Sequence, residues 1–145
     1  LVDLEVEHAN FYPQSPIFLR KKGNAEQIRK NLMETLTNGG TFFVVYDEGK
    51  ARAYTIVGKA GEDEEGLLLR KTNSAEVKSM YSQPAYRSKG IGAALLQAAI
   101  TWARDHGYER LMVEHETANI FGGNFWRKRF EAYVYISMRY VDNTL

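Results

Sequence analysis

Arg87-Ser88-Lys89-Gly90-Ile91-Gly92-Ala93, within the longer stretch AYRSKGIGAALL (residues 85–96), opens a helical pattern with two glycines. Glycine inside a helix costs about 1 kcal/mol relative to alanine, so the position needs a reason other than helix propensity. Three phosphate-binding patterns place glycine at such a point, and spacing separates them. A P-loop requires Gly-Lys-Ser/Thr at its end, and none follows. The dinucleotide fingerprint G-x-G-x-x-G is met only at its first two glycines, because Leu95 takes the third place. Its turn also follows the strand directly, whereas residues 82–89 intervene here. Glu114, near the end of the next strand, is set aside as a ribose ligand for the same two reasons. What remains is a loop that brings Arg87 and the backbone N–H groups of residues 88–93 to a helix start. Unpaired donors and about half a positive charge at that point suit a phosphate or pyrophosphate. The competing reading is that the glycines only let the helix pack tightly on a sheet.

Downstream of this turn, Ile91, Ala94, Leu95, Ala98 and Trp102 form one apolar stripe, with Gly107 as the natural stop. Upstream, Glu76-Val77-Lys78-Ser79-Met80-Tyr81 predicts a strand that Pro84 prevents from continuing. Residues 110–114 predict a further strand, 119–130 a short helix and 133–141 a final strand. Toward the N-terminus, Asn24-Ala25-Glu26-Gln27 has the form of a capping box, and Ile28, Leu32 and Leu36 follow at four-residue intervals before Gly39-Gly40. That pattern predicts a helix over about residues 25–37. Residues 41–46 read as a buried strand, Asp47-Glu48-Gly49-Lys50 as a turn and residues 51–57 as a second strand, together a hairpin. In the first residues, Val2, Leu4 and Val6 alternate as in a strand, while Leu1, Leu4, His8 and Phe11 match a helix. The helix is the preferred reading. Glu62-Asp63-Glu64-Glu65 is a solvated loop tip, because a calcium loop spaces its ligands. Strands and helices alternate in the second half, which predicts an α/β fold with a mixed sheet and helices on its faces.

The composition fits one domain spanning residues 1–145: 44% of the residues are hydrophobic and 26% charged, enough for a single buried core. The first residue is Leu1, compatible with a domain excised from a longer protein. A net charge of +1 with scattered basic residues predicts no nucleic-acid partner. Cysteine is absent, which removes disulfides and thiolate chemistry and fits a cytoplasmic protein. No apolar run approaches the ~18 residues of a membrane span, and the N-terminus lacks signal-peptide order, so no membrane partner is expected.

The segment Arg87 to Ala93 resembles the Arg/Gln-x-x-Gly-x-Gly/Ala signature of the GNAT superfamily, the acyl-CoA-dependent N-acetyltransferases. The strand before it, the helix after it, "GYERLMVEHETAN" as the next strand and its exit, and "NIFGGNFWRKRF" as the closing helix follow that family's order. The specific resemblance covers residues 76–141. It implies a mixed, mostly antiparallel central sheet flanked by helices, and direct attack of an amine on acetyl-CoA, with no metal. It implies that Arg87, Ser88, Lys89, Gly90, Ile91, Gly92 and Ala93 hold the coenzyme A pyrophosphate, and that Asn119 bonds the coenzyme arm while also capping its helix. A backbone N–H at Met80 or Tyr81 would polarise the thioester carbonyl. The acceptor, a small-molecule or peptide amine, would meet the N-terminal helices and last strands, here residues 11–18 and 133–135. The expected assembly is a monomer or homodimer.

Alkylamines of pKa about 10 are protonated at pH 7, so transfer benefits from a base. Glu76 stands eleven residues before Arg87, the interval at which the histone-acetylating branch places its catalytic glutamate. Strand alternation puts it on one face with Lys78 and Met80, and its competing reading is a solvent-facing strand residue paired with a lysine. The family often has a tyrosine seven residues after the asparagine to protonate the departing thiolate; this chain has Trp126. An indole N–H donates a hydrogen bond but is no practical acid. Trp126 is therefore assigned to packing against the coenzyme or core, with Tyr133 or Tyr81 as substitute acids. A thiol of pKa near 8.5 is already a tolerable leaving group, so the missing acid slows the step without forbidding it. Arg129 replaces the glycine that usually precedes Phe130, and Gly122-Gly123 either make room for the pantetheine arm or break the helix. His115-Glu116 begins an H-E-x-x-H pattern that Asn119 interrupts, so no zinc site is expected. His8 and His106 are read as structural. A second functional reading, motivated by Trp126, is a catalytically idle acyl-CoA-binding or interaction domain. The family's first strand is not evident, which points to a domain cut from a tandem protein or to a strand within residues 1–7.

Overall fold

The computed structural model describes residues 1–14, 17, 24–61 and 73–135. Two helices come first, α1 (Val2–Phe11) and α2 (Ala25–Thr37). The helical reading of the N-terminus holds, since Leu4 and Ala9 are the buried positions of α1, and no strand lies in residues 1–7. Asn24 caps α2 by accepting from the N–H groups of Glu26 at 2.9 Å and Gln27 at 3.4 Å. Such a cap contributes about 1 kcal/mol. The Gln27 side chain turns forward to Asn31 at 2.8 Å, so the capping box is made in one direction only.

Strands β1 (Thr41–Asp47) and β2 (Lys50–Lys59) form the expected antiparallel hairpin. Its two turn residues, Glu48 and Gly49, both have positive φ (49° and 72°), the geometry whose twist matches paired strands. β3 (Ser74–Ser82) pairs antiparallel with β2, and β4 (Arg110–Val113) pairs parallel with β3, giving one sheet in the order β1-β2-β3-β4. A short 3₁₀ turn (Pro84–Tyr86) and α3 (Ile91–Asp105) connect the parallel pair, and α4 (Ile120–Trp126) follows β4.

Two details of β3 position everything that follows. Its pairing with β4 covers only residues 74–77, so residues 78–82 continue without a β4 partner. The register against β2 also slips: Ile56 faces Ser79 and Val57 faces Val77, which leaves Lys78 as the extra residue of a bulge. Ala75 and Val77 point into the core under α3, and beyond the bulge Met80 joins that core while Tyr81 enters the opposite one. Simple alternation had put Glu76 and Met80 on one face; the bulge separates them.

The core under α3 contains Val57, Ala75, Val77, Leu96, Ala99, Trp102 and Trp126, and the other, under α1 and α2, contains Leu4, Leu32, Tyr54, Ile56 and Tyr81. The buried residues of α3 are Leu95, Leu96, Ala99, Trp102 and Ala103, so the apolar stripe is rotated from the one predicted. Ala94, in the first turn of α3, is exposed. The closing helix ends at Trp126, four residues before its predicted limit. Residues 133–135 are not in a strand, and the rest of the predicted 133–141 strand lies outside the described residues, as does the Glu62–Glu65 loop tip.

Candidate active site

Where β3 leaves β4, the structure opens a cleft of about 480 Å³. One wall is β3 from Val77 to Ser82, and the facing wall is the exit of β4 at Val113, Glu114 and His115. The first turn of α3 and α4 close one end, and His8, Phe11 and Tyr12 of the α1 end close the other.

At the α3 end, backbone conformation does the shaping. Arg87 is extended, Ser88 is left-handed at φ 58°, and Gly90 caps the helix at φ 81°. A Cβ on Gly90 would meet nothing within 4 Å, so glycine is required there by conformation and not by space. Gly92 is the reverse case: a Cβ would sit 3.3 Å from Phe125 Cε2 and 3.4 Å from Met80 Cε. Gly90 thus makes the turn and Gly92 allows close packing. No side chain caps α3, and the first amide returning to the helix is that of Ala94, which donates to the Gly90 carbonyl at 3.0 Å. The amides of Ile91, Gly92 and Ala93 therefore precede the intrahelical ladder, the arrangement an anionic phosphate satisfies.

Arg87 packs into this corner. Its Nε donates to the Ser82 carbonyl at 3.0 Å, and its guanidinium lies 5.3 Å from the Phe11 ring centre and 5.5 Å from that of Tyr81. Lys89 sits over the Tyr86 ring at 5.4 Å, and the Tyr86 hydroxyl donates to Asp47. Ser88, Gly90, Gly92 and Ala93 line the cleft with Arg87, whereas Lys89 and Ile91 do not. Asn119 caps α4 by accepting from the Gly122 N–H at 3.0 Å, and it also lines the cleft. Trp126 is buried edge-to-face between Phe125 and Phe130, with one side on the cleft.

At the α1 end, side chains do the shaping. The Tyr81 hydroxyl donates to Glu7 Oε1 at 2.8 Å, and Gln83 donates to Glu7 Oε2 at 2.9 Å. Burial and then this carboxylate push the Tyr81 hydroxyl up to about 12, against a smaller opposing effect of Arg87. A hydroxyl so engaged is a poor acid for a thiolate. Burial, then Glu116 and Glu5, also raise Tyr12. His8 stacks on Tyr81, with ring centres 4.9 Å apart, and its Nδ1 shares a hydrogen bond with the Tyr54 hydroxyl at 3.0 Å.

Two of the residues expected to do chemistry stand outside this cleft. The Glu76 carboxylate accepts from Lys78 Nζ at 3.2 Å and from the Gly61 N–H at 3.3 Å, which is the lysine-paired alternative for that residue. Tyr133 is 70% exposed and does not line the cleft. Met80 and Tyr81 do line it. His8, read as structural, also lines the cleft wall, and neither Ser79 nor Glu7 had stood out; their partners lie 25 to 76 residues away in the chain, so no local spacing signals them. Among the described residues, no group of three His, Cys, Asp or Glu side chains is arranged to hold a metal ion, and no helix is long and apolar enough to cross a membrane.

This geometry has a counterpart among known proteins. The family model described as "Acetyltransferase (GNAT) family" matches residues 6–131. The chain belongs to the GNAT acetyltransferase family. Solved GNAT-like structures agree in fold. A putative acetyl transferase from Pyrococcus furiosus superposes with a TM-score of 0.70 at 20% identity, covering 97% of this chain and 91% of that one. A ribosomal-protein-alanine N-acetyltransferase from Brucella melitensis biovar Abortus 2308 gives 0.68 at 14% identity, covering 96% and 89%. In sequence, streptothricin acetyltransferase A of Bacillus subtilis (strain 168) is 44% identical over 43 residues, 30% of this chain. That match spans 25% of the relative's length. The mixed sheet and flanking helices of this GNAT chain are those expected from its sequence.

Proposed function

We propose that this GNAT domain is an acetyl-CoA-dependent N-acetyltransferase acting on a primary amine. The observation that carries the proposal is the uncapped start of α3, set behind left-handed Gly90 at the floor of the cleft where β3 leaves β4. The residues present fit the coenzyme: the amides of Ile91, Gly92 and Ala93 and the charge of Arg87 would hold its pyrophosphate. Asn119 would meet the pantetheine arm, and the unpaired stretch of β3 at Met80 and Tyr81 would offer backbone donors to the thioester oxygen. Bound there, acetyl-CoA supplies an activated acyl group. The aromatic wall at Phe11, Tyr12 and Tyr81, with Glu114 opposite, suits an amine that arrives protonated. An aminoglycoside N-acetyltransferase, AAC(6')-Iy, solved with CoA superposes with a TM-score of 0.60 at 13% identity over 81% of this chain, in keeping with a coenzyme-holding fold.

The test is acetyl-CoA binding followed by thiol release over a panel of amines. Wild type should bind acetyl-CoA and gain melting temperature. Gly92→Glu, whose side chain meets Phe125 and Met80 and brings negative charge to the pyrophosphate, should weaken binding at least about 100-fold, the loss of about 2.7 kcal/mol. Equal binding by the two proteins sinks the assignment of the loop. The idle-domain reading is favoured by one observation: Trp126, at the position of the family's acid, is packed into the core. Tight binding without thiol release from any amine would establish it.

A further inference from the structure

We propose that His8 is the general base of this domain, its ring held in place by Tyr54, Ser79 and Tyr81; the inference rests on the acetyltransferase reading. His8 belongs to α1, yet its ring forms part of the cleft wall beside the unpaired stretch of β3. Several contacts hold that ring. It stacks on Tyr81 at 24° between planes, and its Nδ1 lies 3.0 Å from the Tyr54 hydroxyl and 3.4 Å from Ser79 Oγ. Tyr54 is completely buried, and its hydroxyl is also 3.1 Å from Ser79 Oγ.

Glu5, one turn before His8, interacts with the Tyr54 hydroxyl and, after burial itself, is the main reason that this hydroxyl keeps its proton. In the tautomer that acts as the base, the imidazole donates Nδ1–H to the Tyr54 oxygen, which places the basic lone pair on Nε2. Around the ring stand Glu5, Glu7 and Tyr12 from the α1 segment, Tyr54 from β2, and Tyr81 from β3. Arg87 lies beyond Tyr81, and Glu114, His115 and Glu116 come from the β4 exit. The side of α2 that packs here contributes the apolar residues Ile28 and Leu32.

The step balances as follows. Nε2 takes one proton from the acceptor ammonium, and the neutral amine attacks the thioester carbon. The C–N bond forms and the C–S bond breaks; the second nitrogen proton goes to the departing sulfur, giving the thiol, and His8 returns the first proton to solvent.

The test compares wild type, His8→Asn, Tyr54→Phe and Glu76→Gln for thiol release from acetyl-CoA with lysine, an aminoglycoside and a peptide bearing N-terminal alanine, across pH 5.5–9. Asparagine can still donate to Tyr54. His8→Asn should lower kcat/KM for the amine about 100-fold or more at pH 7. It should abolish the acid limb set by the imidazole, leaving a rate that climbs with amine deprotonation, while acetyl-CoA affinity is unchanged. Tyr54→Phe keeps the imidazole but removes its partner, so the acid limb should persist with a shifted midpoint. This variant decides the matter if His8→Asn does not fold. Retention of the wild-type limb in His8→Asn, an unshifted midpoint in Tyr54→Phe, or loss of the limb in Glu76→Gln instead overturns the role of His8. Failure of wild type to bind acetyl-CoA overturns the acetyltransferase reading itself; binding without turnover overturns the base while leaving the coenzyme site standing.

Discussion

The two ends of the cleft are built by different means. At the α3 end, residues contiguous in sequence form the site, and what they present is backbone: a left-handed Ser88, a left-handed Gly90 and the uncapped amides behind it. At the α1 end, His8 meets Tyr54 and Ser79, and Glu7 meets Tyr81 and Gln83, across 46 to 76 residues of chain. A site that holds an invariant group such as a pyrophosphate needs donors at fixed points, which a helix start supplies whatever the side chains. A site that chooses among acceptors and moves a proton needs particular side chains, and only the folded sheet brings them together.

The comparison predicts that the ends fail separately, and the largest separation should come from Gly90→Val. A β-branched residue at φ 81° is strained wherever space allows it, at a cost of about 1–3 kcal/mol. The strain falls on the loop that positions the first α3 amides, so the expected outcome is a lower melting temperature and at least a tenfold rise in KM for acetyl-CoA. The acid limb of the pH profile should not move. Movement of that limb would mean that the ends are coupled, and the separation drawn here would be broken.

This difference also explains what could be read in advance. The turn into α3 was legible because glycine positions and spacing mark it, and the hairpin, α2 and β4 were legible because their periodicities are local. The bulge at Lys78 was not, since nothing in residues 76–81 marks an extra residue; it arises in the pairing with β2. From that one slip follow the separation of Glu76 from Met80 and the arrival of Ser79 beside His8. The interval of eleven residues that singled out Glu76 is a property of the chain, whereas the position of its carboxylate depends on Lys78 and Gly61. The α3 stripe was displaced for a related reason: a helix that lies across β2 and β3 buries two adjacent rows, not the single row that periodicity selects.

Asn119→Ala tests whether a residue at the α4 end serves structure and ligand together. Loss of the cap to Gly122 should cost about 1 kcal/mol of stability, read from denaturant melts. If the side chain also meets the coenzyme arm, the stabilisation gained on adding acetyl-CoA should shrink as well. An undiminished gain would confine Asn119 to capping and narrow the coenzyme end to the α3 loop.

The smallest effect belongs to Tyr81→Phe, and it appears only in alkali. Tyr81 is held up to about 12 in the fold against an ordinary value of 10.0, so the folded state keeps a proton that the unfolded chain releases. Its contribution is fully present below pH 10 and is lost as pH rises from about 10 to 12, because over that interval the unfolded chain binds fewer protons. Melts across this range should therefore fall less steeply in Tyr81→Phe than in wild type. Tyr54, Tyr12 and Tyr86 are raised as well, so a residual slope should persist in the variant. Identical slopes would mean that neither burial nor Glu7 raises the Tyr81 hydroxyl.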